Sequence, residues 1–142
     1  MLLPSFALMA QGTQVHIALW PGREPAQPPA APQAMWPRQH LMSRAFASAG
    51  ACYVMCVGGV RTKEDLPDEG AKWLNPSTGD SVIIDPRGEI LEGPLHNEEG
   101  ILIADVDISH IRAAKAVVDN AGHYSRPDIF ELRVDGTKVF GK

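Results

Sequence analysis

Seven consecutive residues, Ala51-Cys52-Tyr53-Val54-Met55-Cys56-Val57, carry no charge and almost no polarity. A run of this length is too short for a helix spanning a core, and it suits a strand with apolar neighbours on both faces. Such a strand needs a layer on each side. That requirement restricts the chain to a layered α/β architecture and argues against an open all-β or all-helical one.

The flanking segments supply the layers. Leu2, Leu3, Phe6, Met9 and Ala10 recur at helical spacing and stop at Gly12, with Pro4 tolerable in a first turn. Val15, Ile17 and Leu19 alternate with Gln14, His16 and Ala18, as in a strand. Pro21, Pro25, Pro28, Pro29, Pro32 and Pro37 make residues 21–37 a loop. Leu41, Met42, Ala45, Phe46 and Ala49 form a second helical stripe, ended at Gly50. Residues 58–79, rich in Gly, Pro and charge, read as loop. Ser81-Val82-Ile83-Ile84-Asp85 and Glu89-Ile90-Leu91 predict a hairpin about the turn Pro86-Arg87-Gly88. A strand is expected over Gly100–Val106. A helix carrying Ile111, Ala114 and Val118 follows, with Asp107 or Ser109 able to accept from its first free amides. Gly122 and Pro127 break that helix, and a last strand is expected from Phe130 to Val134. No internal repeat is present, and sheets with helices packed on them satisfy this order.

Composition sets outer limits. The chain has 142 residues and a formal net charge of −4, with no basic face to attract nucleic acid or an anionic membrane. No run of 18 apolar residues marks a membrane span, and the first residues lack the basic lead of a signal peptide. Cys52 and Cys56 are too few for a disulfide framework. Along one strand they lie too far apart to bond each other. A reduced, cytoplasmic setting is expected. The five histidines lack metal-ligand spacing, so no metal or other cofactor is expected. Lys63-Glu64-Asp65 and Glu98-Glu99 read as solvated surface, and Gly58-Gly59 is not a dinucleotide fingerprint.

Four segments together resemble the nitrilase branch of the carbon–nitrogen hydrolases: Ala10–His16, Arg44–Val54, Gly79–Leu91, and Glu99–Asp107 followed by Gly122-His123-Tyr124-Ser125-Arg126-Pro127-Asp128. The His-Tyr-Ser-Arg-Pro-Asp string is the most diagnostic of them. The resemblance implies that residues 1–142 form the C-terminal half of an α-β-β-α sandwich, a mixed sheet with helices packed on it, with residues 119–142 as a tail. Relatives often carry a glutamate where Ser48 or Ala49 stands, and residues 21–37 are unusually proline-laden for the family.

The resemblance also implies a chemistry. A cysteine thiolate attacks the nitrile carbon to give a thioimidate, a glutamate moves protons, and a lysine stabilises the developing charge. Water then releases a carboxylic acid and ammonia. In the family these three residues precede the segment matched here, so the triad maps onto no residue of this chain. No catalytic residue is assigned, and the chain is expected to be inactive alone. Cys52 and Cys56 sit in an apolar run without a basic neighbour and are expected to be inert core residues. An unrelated thiol enzyme using either one is the contrary reading.

Strand ends face ligands in open α/β sheets, which makes Leu19, Trp20 and Pro21 candidates for lining a nitrile pocket. An ordinary aromatic at a loop start is the competing reading of Trp20. His123, Tyr124, Arg126 and Pro127 are candidates for packing the tail against another surface. The expected partners are a small nitrile in the intact enzyme, and either further copies in a homo-oligomer or a full-length relative. In the second case the chain would act as a non-catalytic regulatory subunit.

Overall fold

The computed structural model describes residues 2–22, 38–66 and 76–141. The remainder of the proline-rich loop expected at 21–37, and much of the loop expected at 58–79, lie outside those residues. Helix α1 (Leu2–Ala10) ends where Gly12 takes a φ of 78°. There the Gly12 amide bonds the Met9 carbonyl at 3.0 Å, and the Thr13 hydroxyl bonds the Leu8 carbonyl at 2.8 Å. Glycine reaches this left-handed conformation without steric cost.

Strand β1 (Val15–Trp20) leads through helix α2 (Arg38–Gly50) to β2 (Tyr53–Gly58). The two strands pair in parallel, from Val15 opposite Tyr53 to Trp20 opposite Gly58. Strand β2 also pairs antiparallel with β4 (Ser77–Ile84), setting Val54 opposite Ile84 and Cys56 opposite Val82. The short β3 (Val60–Arg61) continues β2 beyond Gly58-Gly59 and pairs with the start of β4. The expected hairpin is present but longer than predicted, with β5 (Ile90–His96) on the far side of β4. Asp85 builds its turn: the carboxylate accepts from the Arg87 and Glu89 amides at 2.8 and 2.9 Å. The result is a mixed sheet, and the predicted α/β layering holds.

The apolar run behaves as expected. Val54 and Cys56 of β2 and Val82 and Ile84 of β4 are buried with Ala47 and Cys52, and Ala18, Trp20 and Phe46 pack against them. Helix α2 covers this side of the sheet, with α1 beside it.

Which faces turn inward differs from the sequence expectation in two places. Helix α2 buries Gln39, Ser43, Ala47 and Gly50, while Leu41 and Met42 of the predicted stripe stay exposed. The small residues let the helix approach the sheet, and the polar ones are hydrogen-bonded, which removes the cost of burying them. In β1 the inward residues are His16, Ala18 and Trp20, while Val15, Ile17 and Leu19 face outward, Leu19 being 79% exposed.

The strand expected over Gly100–Val106 forms no ladder. Its exposure still alternates, with Ile101 and Ile103 out and Leu102 and Ala104 half-buried. Leu102 and Gly100 border one cavity with Met55, Val57, Ile83 and Leu95. A ladder requires a neighbouring strand, and no strand among the described residues lies beside this segment.

Helix α3 (Ile108–Val117) is capped by Asp107, whose carboxylate accepts from the Ser109 amide. That amide holds the Asp107 carboxyl below its ordinary range. Helix α3 meets the start of β2 through the Tyr53 hydroxyl, 3.1 Å from the Asp107 carbonyl and 3.2 Å from His110 Nδ1. The expected last strand is shorter, β6 (Leu132–Val134), and it turns at Asp135-Gly136 into β7 (Thr137–Phe140). This hairpin folds back on α1, with the Phe6 and Phe140 rings edge to face at 4.9 Å.

Candidate functional site

Parallel pairing brings the carboxyl ends of β1 and β2 to one edge of the sheet, where open α/β sheets hold ligands. That edge is tightly tied. The Gly59 amide donates to the Trp20 carbonyl at 3.3 Å, and the Ser77 hydroxyl donates to the Gly59 carbonyl at 2.7 Å. The Gly58 amide donates to Ser81 Oγ at 3.0 Å. Gly58 has a structural reason to be glycine: a Cβ there would stand 1.9 Å from the Gly79 carbonyl oxygen.

Behind this edge sits a polar cluster that sequence reasoning missed. Gln39 Nε2 donates to the Gly79 carbonyl at 2.8 Å, and His40 Nε2 donates to the Asp80 carbonyl at 2.6 Å. The Asp80 carboxylate is buried and accepts from the Thr78 hydroxyl at 2.5 Å and from His96 Nδ1 at 2.6 Å. A carboxylate can only accept, so His96 carries its proton on Nδ1 toward Asp80. These bonds hold Asp80 at a φ of 58°, beside Gly79 at 74°. Its signal in the sequence is faint, since it rests on single residues from α2, β4 and β5.

The three pocket candidates do not converge. The Trp20 indole turns toward α2 and donates to Ser43 Oγ at 3.1 Å. Leu19 faces the opposite side of the sheet, and Pro21 is exposed at the strand end.

The cysteines are buried behind the same sheet. Burial pushes the Cys52 thiol up to about 11, against a weak opposing pull from Lys115. Burial raises Cys56 as well, partly offset by its hydrogen bond with Ser43. Both thiols therefore stay protonated near neutral pH, and a thiol is a poor nucleophile.

In the tail, the His123 and Tyr124 rings meet edge to face at 5.1 Å, and Arg126 pairs with Asp128 at 2.6 Å. Tyr124 and Arg126 remain exposed and Pro127 is half-buried. Asn120 fastens the tail, donating to the Ala49 carbonyl of α2 at 2.8 Å. Among the described residues, no group of three His, Cys, Asp or Glu side chains is placed to hold a metal, and no helix is long and apolar enough to cross a membrane.

A mixed sheet faced with helices, with its strand ends gathered at one edge, defines a layered α/β protein. The carbon–nitrogen hydrolase family model matches residues 3–116, and the chain belongs to that family. It is 42% identical over 137 residues to Nitrilase 2 from an unknown prokaryotic organism, covering 95% of this chain and 40% of that protein. It is 39% identical over 136 residues to an aliphatic nitrilase of Rhodococcus rhodochrous, covering 92% and 37%. Among solved structures it resembles Saccharomyces cerevisiae Nit3, a member of branch 10 of the nitrilase superfamily. That match has a TM-score of 0.59 at 20% identity and covers 86% of this chain and 39% of Nit3. The chain thus spans about 40% of the length of the relatives it matches.

Proposed function

We propose that this chain is the carboxyl-terminal portion of a nitrilase-type hydrolase, an enzyme converting a nitrile to a carboxylic acid and ammonia, and that alone it does not catalyse the reaction. The similarity to nitrilases over 95% of the chain supports the enzyme class. The observation that carries the second half is the state of the two cysteines: both are buried and held as thiols by that burial. The strand end carrying Leu19, Trp20 and Pro21 borders the nitrile in the intact enzyme. His123, Tyr124, Arg126 and Pro127 pack the tail against a neighbouring subunit of a homo-oligomer, and the setting is cytoplasmic.

The test is ammonia release from aliphatic and aromatic nitriles by the purified chain, alongside its Cys52→Ser/Cys56→Ser double variant. Equal background from both agrees with the proposal. Turnover that the double variant abolishes refutes it.

A second reading has one observation in its favour. The side of the sheet away from α2 presents Ile17 and Leu19 to solvent, as a chain made to associate would. On that reading the chain is a non-catalytic subunit that pairs with an intact nitrilase.

A further inference from the structure

At the end of β2 opposite the Trp20–Gly58 edge, a cavity of about 490 Å³ opens between the Pro86–Arg87 turn, the last turn of α2 and helix α3. Its size suits a small organic molecule. One wall is aliphatic, made by Pro86, Ala113, Ala114 and Val117. The two alanines leave room that longer side chains on α3 would fill.

Three polar side chains border the same space: Arg87, His110 and Ser48. Asp85 fixes the first of them, accepting from Arg87 Nε at 2.8 Å and from Nη2 at 2.7 Å. The Arg87 and Glu89 amides occupy its other oxygen, so the acceptor sites of the Asp85 carboxylate are filled. Arg87 Nη1 has no partner among the described residues. His110 is fixed as well. The single proton of the Tyr53 hydroxyl goes to the Asp107 carbonyl at 3.1 Å, because a carbonyl only accepts. His110 therefore donates its Nδ1–H to that hydroxyl at 3.2 Å, and its Nε2 has no partner among the described residues. Arg87 also interacts electrostatically with Tyr53, so guanidinium and imidazole gather around one hydroxyl.

We propose that this cavity binds a small carboxylate with an apolar body. The head accepts from Arg87 Nη1 and from the Ser48 hydroxyl, and from His110 Nε2 when that ring takes up a second proton from solvent. The body lies on the Ala113–Ala114 wall. A guanidinium with a free N–H is a strong carboxylate donor. A bare inorganic anion would leave the aliphatic wall wet, and a neutral molecule would leave that donor without its charged acceptor. Asp85 offsets much of the Arg87 charge, so binding is modest and needs head and body together. The proposal goes beyond the nitrilase-type reading and does not rest on it. On that reading, a carboxylic acid is also the class of the reaction product.

The probe is benzoate, titrated into the full 142-residue chain by calorimetry and followed by NMR of the alanine methyls. Saturable binding with a Kd of about 1 mM or below is expected, with the largest shifts at Ala113 and Ala114. Benzamide keeps the shape and lacks the charge, and acetate keeps the head and lacks the body; each binds roughly 10-fold or more weakly than benzoate. Arg87→Gln, which leaves Asp85 its two backbone amides, weakens benzoate by roughly 10-fold or more. Ala113→Phe, at an exposed position of α3, fills the cavity and gives a comparable loss, which keeps the test intact should Arg87→Gln misfold. Leu41→Glu, on the exposed side of α2, leaves binding unchanged. No saturable binding at millimolar benzoate, benzamide or acetate binding as tightly as benzoate, shifts centred away from α3, or an affinity indifferent to both cavity variants would each overturn the proposal. Binding is read without turnover, so its failure leaves the nitrilase-type reading standing, and an absence of ammonia release leaves the binding result standing.

Discussion

Truncating one isoleucine on each side of the same sheet tests the direction in which the sheet is closed. Ile84 of β4 is fully buried against α2. Ile84→Ala removes its transfer free energy and leaves a cavity, for a loss of about 2–5 kcal/mol. Ile17 of β1 is 59% exposed, so only about two-fifths of a full burial gain of roughly 1.5–3 kcal/mol is at stake, near 1 kcal/mol, with no cavity left behind. At about 2–4 °C per kcal/mol for a chain of this size, Ile84→Ala lowers Tm by roughly 5–20 °C and Ile17→Ala by less than about 5 °C. Urea and thermal unfolding of the chain alone, followed by circular dichroism, measure both. Equal losses from the two substitutions would mean that Ile17 is buried in solution and that the described face is not open.

Three further outcomes follow from particular contacts. Gly58→Ala sets a Cβ against the Gly79 carbonyl and destabilises by about 1–3 kcal/mol or more, whereas Gly12→Ala meets no atom within 4 Å and costs only its backbone strain; parallel urea curves compare them. Asn120→Ala removes the bond to the Ala49 carbonyl, costs about 1 kcal/mol, and raises amide exchange across residues 119–130 more than in β2. The Cys52 thiol is raised from an ordinary 9.0 to about 11, so above pH 9 the unfolded chain loses a proton that the folded chain keeps. Stability therefore falls as pH rises from about 9 to 11. Cys52→Ala flattens that slope in urea midpoints measured across the window, and an unchanged slope would count against the burial.

The sequence carried the strand at Ala51–Val57, the Asp85 turn, a helix cap at Asp107 or Ser109 and the existence of the three helices among the described residues, because each rests on local chemistry. It did not carry which side of an element faces in. Leu41 and Met42 looked like the inner stripe of α2, but the inner positions went to Gln39, Ser43 and Ala47. That choice depends on carbonyls and an indole supplied from β4 and β1, more than 20 residues away in sequence. The alternation Val15-Ile17-Leu19 was legible as a strand, and its outward direction was not, since period alone does not name the buried face. The β6–β7 hairpin was half missed, although Asp135-Gly136 is a strong turn signal. At the site, the strand-end position of Trp20 and Pro21 was readable. The Asp80–His96 pair was not, because it arises from β4–β5 pairing.

The described residues complete one sheet, and residues 101–106 join no ladder among them. Amide hydrogen exchange on the isolated chain measures this directly, comparing residues 101–106 with Val54–Cys56 of β2. Residues 101–106 are expected to exchange near the rate of an unstructured peptide while the β2 amides are protected by orders of magnitude. Protection of 101–106 comparable to that of β2 would contradict this expectation.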